Sequence, residues 1–233
     1  SASSPSSDTY KHIEGHMKGG GEGSVFRSSE AFPTTDDVIK FSEDSLQQVY
    51  KTGKVPDKLP PGIRSMEVIE GKPPGGRVVI KVVTEKPIGK NAVVPIPEGV
   101  TPTKVTRTVG GRSDEINVIG GILEDTTEMY IIGGSYGPTG KFGLYTTFPG
   151  TYAPPFPPKG KALEALSPAE KAAKDFWDRH AFIDETLPAA KTEPKPLADV
   201  VADLEKKADL DNLDNQPCTI PAQTPEIKAA SLT

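Results

Sequence analysis

Six runs of β-branched and aromatic residues follow one another between positions 77 and 147, and the gaps between them are too short to hold a helix. The first, Arg77-Val78-Val79-Ile80-Lys81-Val82-Val83-Thr84, is apolar almost throughout and reads as a central strand. Residues 91–96, 103–109, 115–122, 128–132 and 142–147 repeat the pattern. Turn signals separate them at Pro97-Glu98-Gly99, Gly110-Gly111, Glu124-Asp125 and Gly137-Pro138-Thr139-Gly140. A parallel neighbour needs a crossover of about a dozen residues or more, which none of these gaps supplies. The prediction is an antiparallel meander sheet of about five or six strands, closed partly on itself.

Two helices flank this segment. Residues 36–51 place Val38, Ile39, Phe41, Leu46, Val49 and Tyr50 at roughly helical spacing, with Thr35 as cap, Asp36 and Asp37 at the positive end and Gly53 as the stop. Ser167-Pro168-Ala169-Glu170 reads as a capping box with proline at the first helical position. The helix it opens runs to about His180 and turns Ala169, Ala172, Ala173, Phe176 and Trp177 to one side. Trp177, the single tryptophan, is expected against the sheet. The fold class is therefore α+β, with an N-terminal and a C-terminal helix packed on one sheet. The proline-rich stretch 58–62 reads as a connector that only turns the chain.

Gly and Pro number 23 and 24 of 233 residues, well above their usual combined share of about 12%. A chain so rich in both must contain much loop or disorder, and its ends are expected to be disordered. Residues 1–23 are Ser- and Gly-rich and tag-like, and His12-Ile13-Glu14-Gly15-His16-Met17 reads as a cloning scar, which sets aside His12 and His16. Residues 24–184 form the single α+β domain. Residues 185–233 form a mostly disordered acidic tail, with a short amphipathic helix expected over 197–210 from Val200, Val201 and Leu204. No run approaches ~18 consecutive apolar residues, so no membrane partner is expected and the chain reads as soluble. The first residues lack a secretory pattern, while secretion or delivery to a target cell stays open. Cys218 stands alone, so packing rather than disulfides or zinc must hold the fold.

The net charge of −5 hides an asymmetry. Residues 76–112 carry seven cations and two anions, whereas residues 161–233 carry nine cations and fourteen anions. A basic strand segment thus precedes an acidic tail. Arg107 and Arg112 of that segment, with Lys141, Tyr145 and Thr147 of the later strands, are the candidate catalytic residues, because RNA cleavage by its own 2′-OH needs proton-transfer groups and cations on the developing charge. Lys90, Lys104, Ser135 and Tyr136 are candidates for substrate binding. Alternation along neighbouring strands would put Tyr145 and Thr147 on one face, with Arg107 placed there too. His180, the one histidine of the folded region, sits at a helix C-terminus. There it first serves the exposed carbonyls, and a catalytic role comes second.

Two other patterns carry less. Gly133 to Lys141 ends in Gly-Lys, but Phe142 and a strand follow, so it is a glycine-rich hairpin and not a nucleotide loop. Asp209-Leu210-Asp211-Asn212-Leu213-Asp214 lacks the glycine and glutamate of a calcium loop and reads as solvated tail. No metal site and no cofactor is read.

The run Tyr130 to Gly150, closing on Tyr145-Thr146-Thr147-Phe148-Pro149-Gly150, resembles the final hairpin of bacterial polymorphic-toxin tips. Phe176-Trp177-x-x-His180-Ala181 is similar to the end of such a domain. That group resembles the barnase, colicin and RelE-like ribonuclease fold, with N-terminal helices against a four- or five-stranded antiparallel sheet. The resemblance spans residues 107–181. It implies metal-independent RNA cleavage by transphosphorylation, with RNA as substrate and a neutralising protein as partner. Many such nucleases place a histidine early in the sheet, whereas this chain has none between His16 and His180, so either the base is another group or activity is absent. Two further classes stay open: a non-catalytic protein-binding module using the Gly/Pro-rich loops and the arm from Thr151 to Pro158, whose Pro154-Pro155-Phe156-Pro157-Pro158 stretch suits binding in extended form, and an ADP-ribosyltransferase-like toxin suggested by Phe26-Arg27 ahead of a helix.

Overall fold

The β-branched run at 77–84 becomes a strand whose Val78, Ile80 and Val82 are fully buried on one face, which requires a layer against that face, while Lys81 and Val83 on the other are half-buried. In the computed structural model, which describes residues 2–3, 11, 13, 24–71, 76–109, 111–136, 140–191 and 197–214, that strand lies inside a five-stranded sheet. The strands in chain order are β1 (Ala2–Ser3), β2 (Val25–Phe26), β3 (Ile63–Glu70), β4 (Arg77–Thr84), β5 (Gly89–Asn91) and β6 (Val93–Pro95). They continue with β7 (Thr103–Val109), β8 (Arg112–Gly120), β9 (Glu124–Thr126), β10 (Glu128–Tyr136), β11 (Lys141–Pro149) and β12 (His180–Asp184). The helices are α1 (Thr35–Thr52), α2 (Pro168–Arg179) and α3 (Leu197–Asp214).

The main sheet runs β1-β11-β10-β4-β3 and is antiparallel except for the short β1–β11 pair. Helix α1 covers its inner face. Thr34 caps that helix in a reciprocal pair with Asp37, one residue before the expected cap, and Gly53 ends it at a φ of 76°. Val38, Leu46 and Val49 of α1 meet Val78, Ile80, Val82, Met129 and Ile131 of the sheet, all buried. Ile13 is buried in the same core, and β1 pairs with β11, so two pieces of the tag-like segment lie within the described structure. His12 and His16 lie outside the described residues.

The expected single meander is corrected to three sheets. β4 and β10 pair directly, Val83 opposite Glu128, although 44 residues separate them. The chain between them leaves the main sheet along β5, builds β6, β7 and β8, and returns along β9. β5 and β9 pair with each other and with β2 in a three-stranded sheet. The excursion forms a second sheet, β6-β12-β8-β7, in which β12 comes in parallel to β8. Consequently the expected strand at 91–96 splits at Ala92 between two sheets, and the expected turn at Glu124-Asp125 is a paired strand. β3, which follows the expected connector at 58–62 and for which no strand is expected, carries exposed Arg64, Glu67 and Glu70 at the sheet edge, which hid its signal. The two helices pack on different sheets. α2 opens with the Ser167–Glu170 capping box and lies on the second sheet, where Trp177 stacks on Phe182 at 5.4 Å and 10°.

The split at residue 92 is built from one side chain. Asn91 Oδ1 accepts from Val93 N at 3.2 Å, Thr151 N at 3.1 Å and Ser24 Oγ at 3.3 Å, while Nδ2 donates to Thr151 Oγ1 at 2.8 Å. Gly150 packs against it in the left-handed region, where a Cβ would lie 2.6 Å from Oδ1.

Residues 1–192 form one compact unit and residues 193–233 a second. Of the latter, α3 is described, with Leu197, Val201, Leu204 and Leu210 exposed. No described helix is long and apolar enough to cross a membrane.

Asn91→Ala should lower stability by about 2–4 kcal/mol, because it strands backbone donors that have no other partner. A Cβ on Gly133 would meet Leu46 at 2.6 Å and the carbonyl of Gly143 at 2.6 Å, so Gly133→Ala should cost roughly 1–3 kcal/mol. Trimming Leu46 should not rescue it, because the clash with the Gly143 backbone persists. Urea unfolding midpoints check all three.

Candidate functional site

With α1 on the inner face of the main sheet, the opposite face displays what the alternation of β3, β4, β10 and β11 delivers there. Tyr130 lies in register with Lys81 and Phe148. Its ring stacks against Phe148 at 5.8 Å and against Tyr152 at 5.2 Å, covering Val79 and Ile132. Lys81 Nζ lies 3.5 Å from Glu128, a diagonal pair across neighbouring strands.

At the edge of this aromatic cluster, three polar groups form one chain. Tyr152 donates its hydroxyl proton to Glu70 Oε2 at 2.9 Å and accepts from Arg77 Nη2 at 2.9 Å. Glu70 closes β3, Arg77 opens β4, and both are exposed, whereas the Tyr152 ring is half-buried. A carboxylate, a phenol and a guanidinium therefore share one hydrogen-bonded path at the surface. Burial raises the Tyr152 phenol above its usual range; the bond to Glu70 adds to this and Arg77 opposes it. Burial also pushes Tyr130 up to about 12, with the Glu128 charge and hydrogen bond adding to it. Both phenols stay protonated at neutral pH and are available as proton donors.

The candidates named from the sequence are dispersed. Tyr145 is the extra residue of a β-bulge where the β10–β11 register shifts between Ile132 and Gly133. Its hydroxyl donates to the carbonyl of Ser135 and covers Gly134, which pairs with Arg77, so Tyr145 and Ser135 border the cluster. The bulge also breaks the expected shared face. Thr147 pairs with Ile131, is fully buried, and donates to the carbonyl of Tyr130 at 3.0 Å. Lys141 is exposed at the start of β11, paired through its backbone with Tyr136, whose side chain lies outside the description.

The remaining candidates belong to other sheets. Lys90 of β5 pairs with Asp125 at 2.5 Å. Arg107 of β7 lies 5.2 Å over the Phe182 ring, in the second sheet and not beside Tyr145. Arg112 is committed to Asp114 at 3.0 Å and to the carbonyls of Phe156 and Pro157 at 3.2 and 2.9 Å. His180 donates from Nδ1 to the Phe176 carbonyl at 2.7 Å and stacks on the Phe176 ring at 3.8 Å. Lys104 is exposed on β7.

The sequence does not single out Glu70; Tyr152 figures there only within the 151–158 arm of a binding module, and Arg77 only as a strand residue and a charge. Their signal is Glu70-Gly71 and Gly76-Arg77 flanking one short loop, the mark of a hairpin that returns both residues to one end. No known protein family, characterised protein or solved structure matches this chain.

The raised Tyr130 phenol has a consequence for stability. A group that holds its proton more tightly when folded stabilises fully below its unfolded value, near ~10. That contribution is lost as pH rises through about 12. Stability should fall across this alkaline window, and Tyr130→Phe should flatten the fall, as read by denaturant unfolding at successive pH values.

Proposed function

We propose that this chain cleaves RNA without a metal ion, by transphosphorylation at Glu70, Tyr152 and Arg77. The observation that carries the reading is the Tyr152 hydroxyl held between a carboxylate and a guanidinium on the uncovered face of the main sheet. Glu70 accepts the proton of a 2′-hydroxyl, and the 2′-oxygen attacks the adjacent phosphorus. As the bond to the 5′-oxygen breaks, Tyr152 gives that oxygen its proton and recovers one from Glu70 along their shared hydrogen bond. A 2′,3′-cyclic phosphate and a 5′-hydroxyl result. Arg77 stabilises the charge on the phosphoryl oxygens, since a guanidinium contacts two of them at once. Lys81 adds a second positive charge on the same face, and the half-exposed rings of Phe148 and Tyr152 offer apolar surface to a base.

One helix against one face of an antiparallel sheet, with chemistry on the other, also supports the resemblance to toxin-like ribonucleases. The competing reading, a non-catalytic protein-binding module, draws support from Arg112 and His180 being tied to backbone carbonyls.

Incubation with total RNA at low salt, without added metal, should yield cyclic-phosphate ends. Glu70→Gln and Tyr152→Phe should each slow cleavage by about 10²-fold or more, the scale of a lost general acid or base. His180→Gln, in the second sheet, should leave the rate within a few-fold. Wild-type protein that leaves RNA intact would put the binding module first, and turnover of labelled NAD instead would favour the ADP-ribosyltransferase.

A further inference from the structure

A strand at the margin of a sheet leaves alternate N–H and C=O groups without a ladder, and proteins blunt such margins with short strands, bulges, proline or charge. The described strands form three sheets with six margins, and five of those are blunted. β1 and β2 have two residues each, β6 and β9 three, and β3 is broken by two register shifts. β7 is different. It runs seven residues without proline at the margin of the second sheet, and pairs with β8 in one unbroken register.

The hairpin fixes which groups of β7 are unused. Val109 and Arg112 pair across a loop of two residues, so they bond to each other directly, and alternation makes Arg107, Val105 and Thr103 the next bonded positions. Lys104, Thr106 and Thr108 therefore turn their N–H and C=O groups away from β8. All three residues are exposed, and these groups find no backbone partner among the described residues.

The side chains set what can pair there. Lys104 and Arg107 are the charged groups of β7, and neither has an ion pair among the described residues; Arg107 lies over the Phe182 ring instead. On β8, Asp114 is held by Arg112, which leaves the exposed Glu115 as the one acid opposing them there. A second copy paired at this margin would gather two lysines and two arginines on adjoining strands, where like charges destabilise. A nucleic acid would meet the cations and the N–H groups but not the carbonyls between them, since phosphate oxygens only accept. An extended polypeptide brings donors and acceptors at the strand repeat, and carboxylates on it would balance the charge. Val105, packed against the cluster of Ile116, Val118 and Phe182, gives a β-branched residue an apolar neighbour.

We propose that β7 is a docking strand for an acidic, extended segment of another protein, which adds a fifth strand to the four of the second sheet with carboxylates beside Lys104 and Arg107. The surface does not include Glu70, Tyr152 or Arg77, and it stands whether or not RNA is cut.

A labelled heptapeptide, Val-Thr-Glu-Thr-Val-Glu-Thr, capped at both ends, places its glutamates beside Arg107 and Lys104 when it runs antiparallel to β7. Its fluorescence anisotropy should rise saturably on titration with the full chain. A peptide with lysine in place of both glutamates should bind about tenfold more weakly, because two cross-strand charge pairs change sign. Hydrogen exchange at Lys104, Thr106 and Thr108 should slow at saturation, while exchange along β3 stays as it was. Thr106→Pro removes an outward N–H that β8 does not use, so the fold should survive and peptide binding should be lost. If its near-ultraviolet circular dichroism is not native, Lys104→Glu carries the test, with a loss of about fivefold from one reversed pair. No saturable binding at millimolar peptide, equal binding of the lysine peptide, or protection elsewhere in the chain overturns the proposal. Slowing of the same amides with protein concentration alone also overturns it, and would assign β7 to a contact between copies.

Discussion

The amide of Asn91 is shared among strands of all three sheets, and the positions of those sheets depend on it. The residue ends β5 and is followed by Ala92, whose N–H goes to Ser24 Oγ. Asn91 Oδ1 then receives the first N–H of β6 and the N–H of Thr151, two residues beyond β11. Thr151 completes the knot by donating to the Val93 carbonyl at 2.9 Å. A side chain with both donor and acceptor can join three backbones that no ladder connects; a hydroxyl or carboxylate could not serve every partner at once. Apolar packing fills each layer separately, so the angle at which the chain leaves the main sheet falls to this polar joint.

The arm that starts at this joint reaches both the main sheet and the second sheet. Tyr152 is the next residue and lies across the outer face of the main sheet; Phe156 lies against Trp177 over the second. An arm rich in proline loses little conformational entropy on docking, because its backbone is already restricted when free. Its carbonyls, which cannot pair in a ladder here, are taken up by the indole of Trp177 and the guanidinium of Arg112. The cost of ordering the arm is thereby offset by groups that would otherwise have been free to meet a ligand.

The two faces of the main sheet answer to different demands. The inner face accepts α1 at close range, which is why Gly133 stands opposite Leu46 without a side chain of its own. On the outer face, aromatic rings bury Val79 and Ile132 without excluding water from their hydroxyl edges. That combination raises the phenols while leaving Glu70 and Arg77 in solvent. That hydrogen-bonded chain is thus partly covered and partly wet, joining a phenol that holds its proton more tightly than usual to two charged groups at the surface.

Local chemistry determined much of what was read from the sequence. The capping box at Ser167, the glycine stop at Gly53, the alternation at 103–109 and the β-branched centre at 77–84 act over a few residues, and each lies where its own pattern put it. The partition into sheets is not local. Asn91 to Ile96 has unbroken strand propensity, yet a side-chain amide splits it; Glu124-Asp125 has turn chemistry, yet it pairs with β5 because the ends of an excursion must close. The bulge at Tyr145 reversed a facing that alternation alone had implied for Tyr145 and Thr147. The cluster of Glu70, Arg77 and Tyr152 joins positions 82 residues apart through hydrogen bonds, and the Asn117 amide is claimed by two carbonyls, of Trp177 in α2 and His180 in β12. Propensity is a property of neighbours in sequence, whereas these outcomes depend on which distant backbone group still lacks a partner, and only the assembled layers decide that.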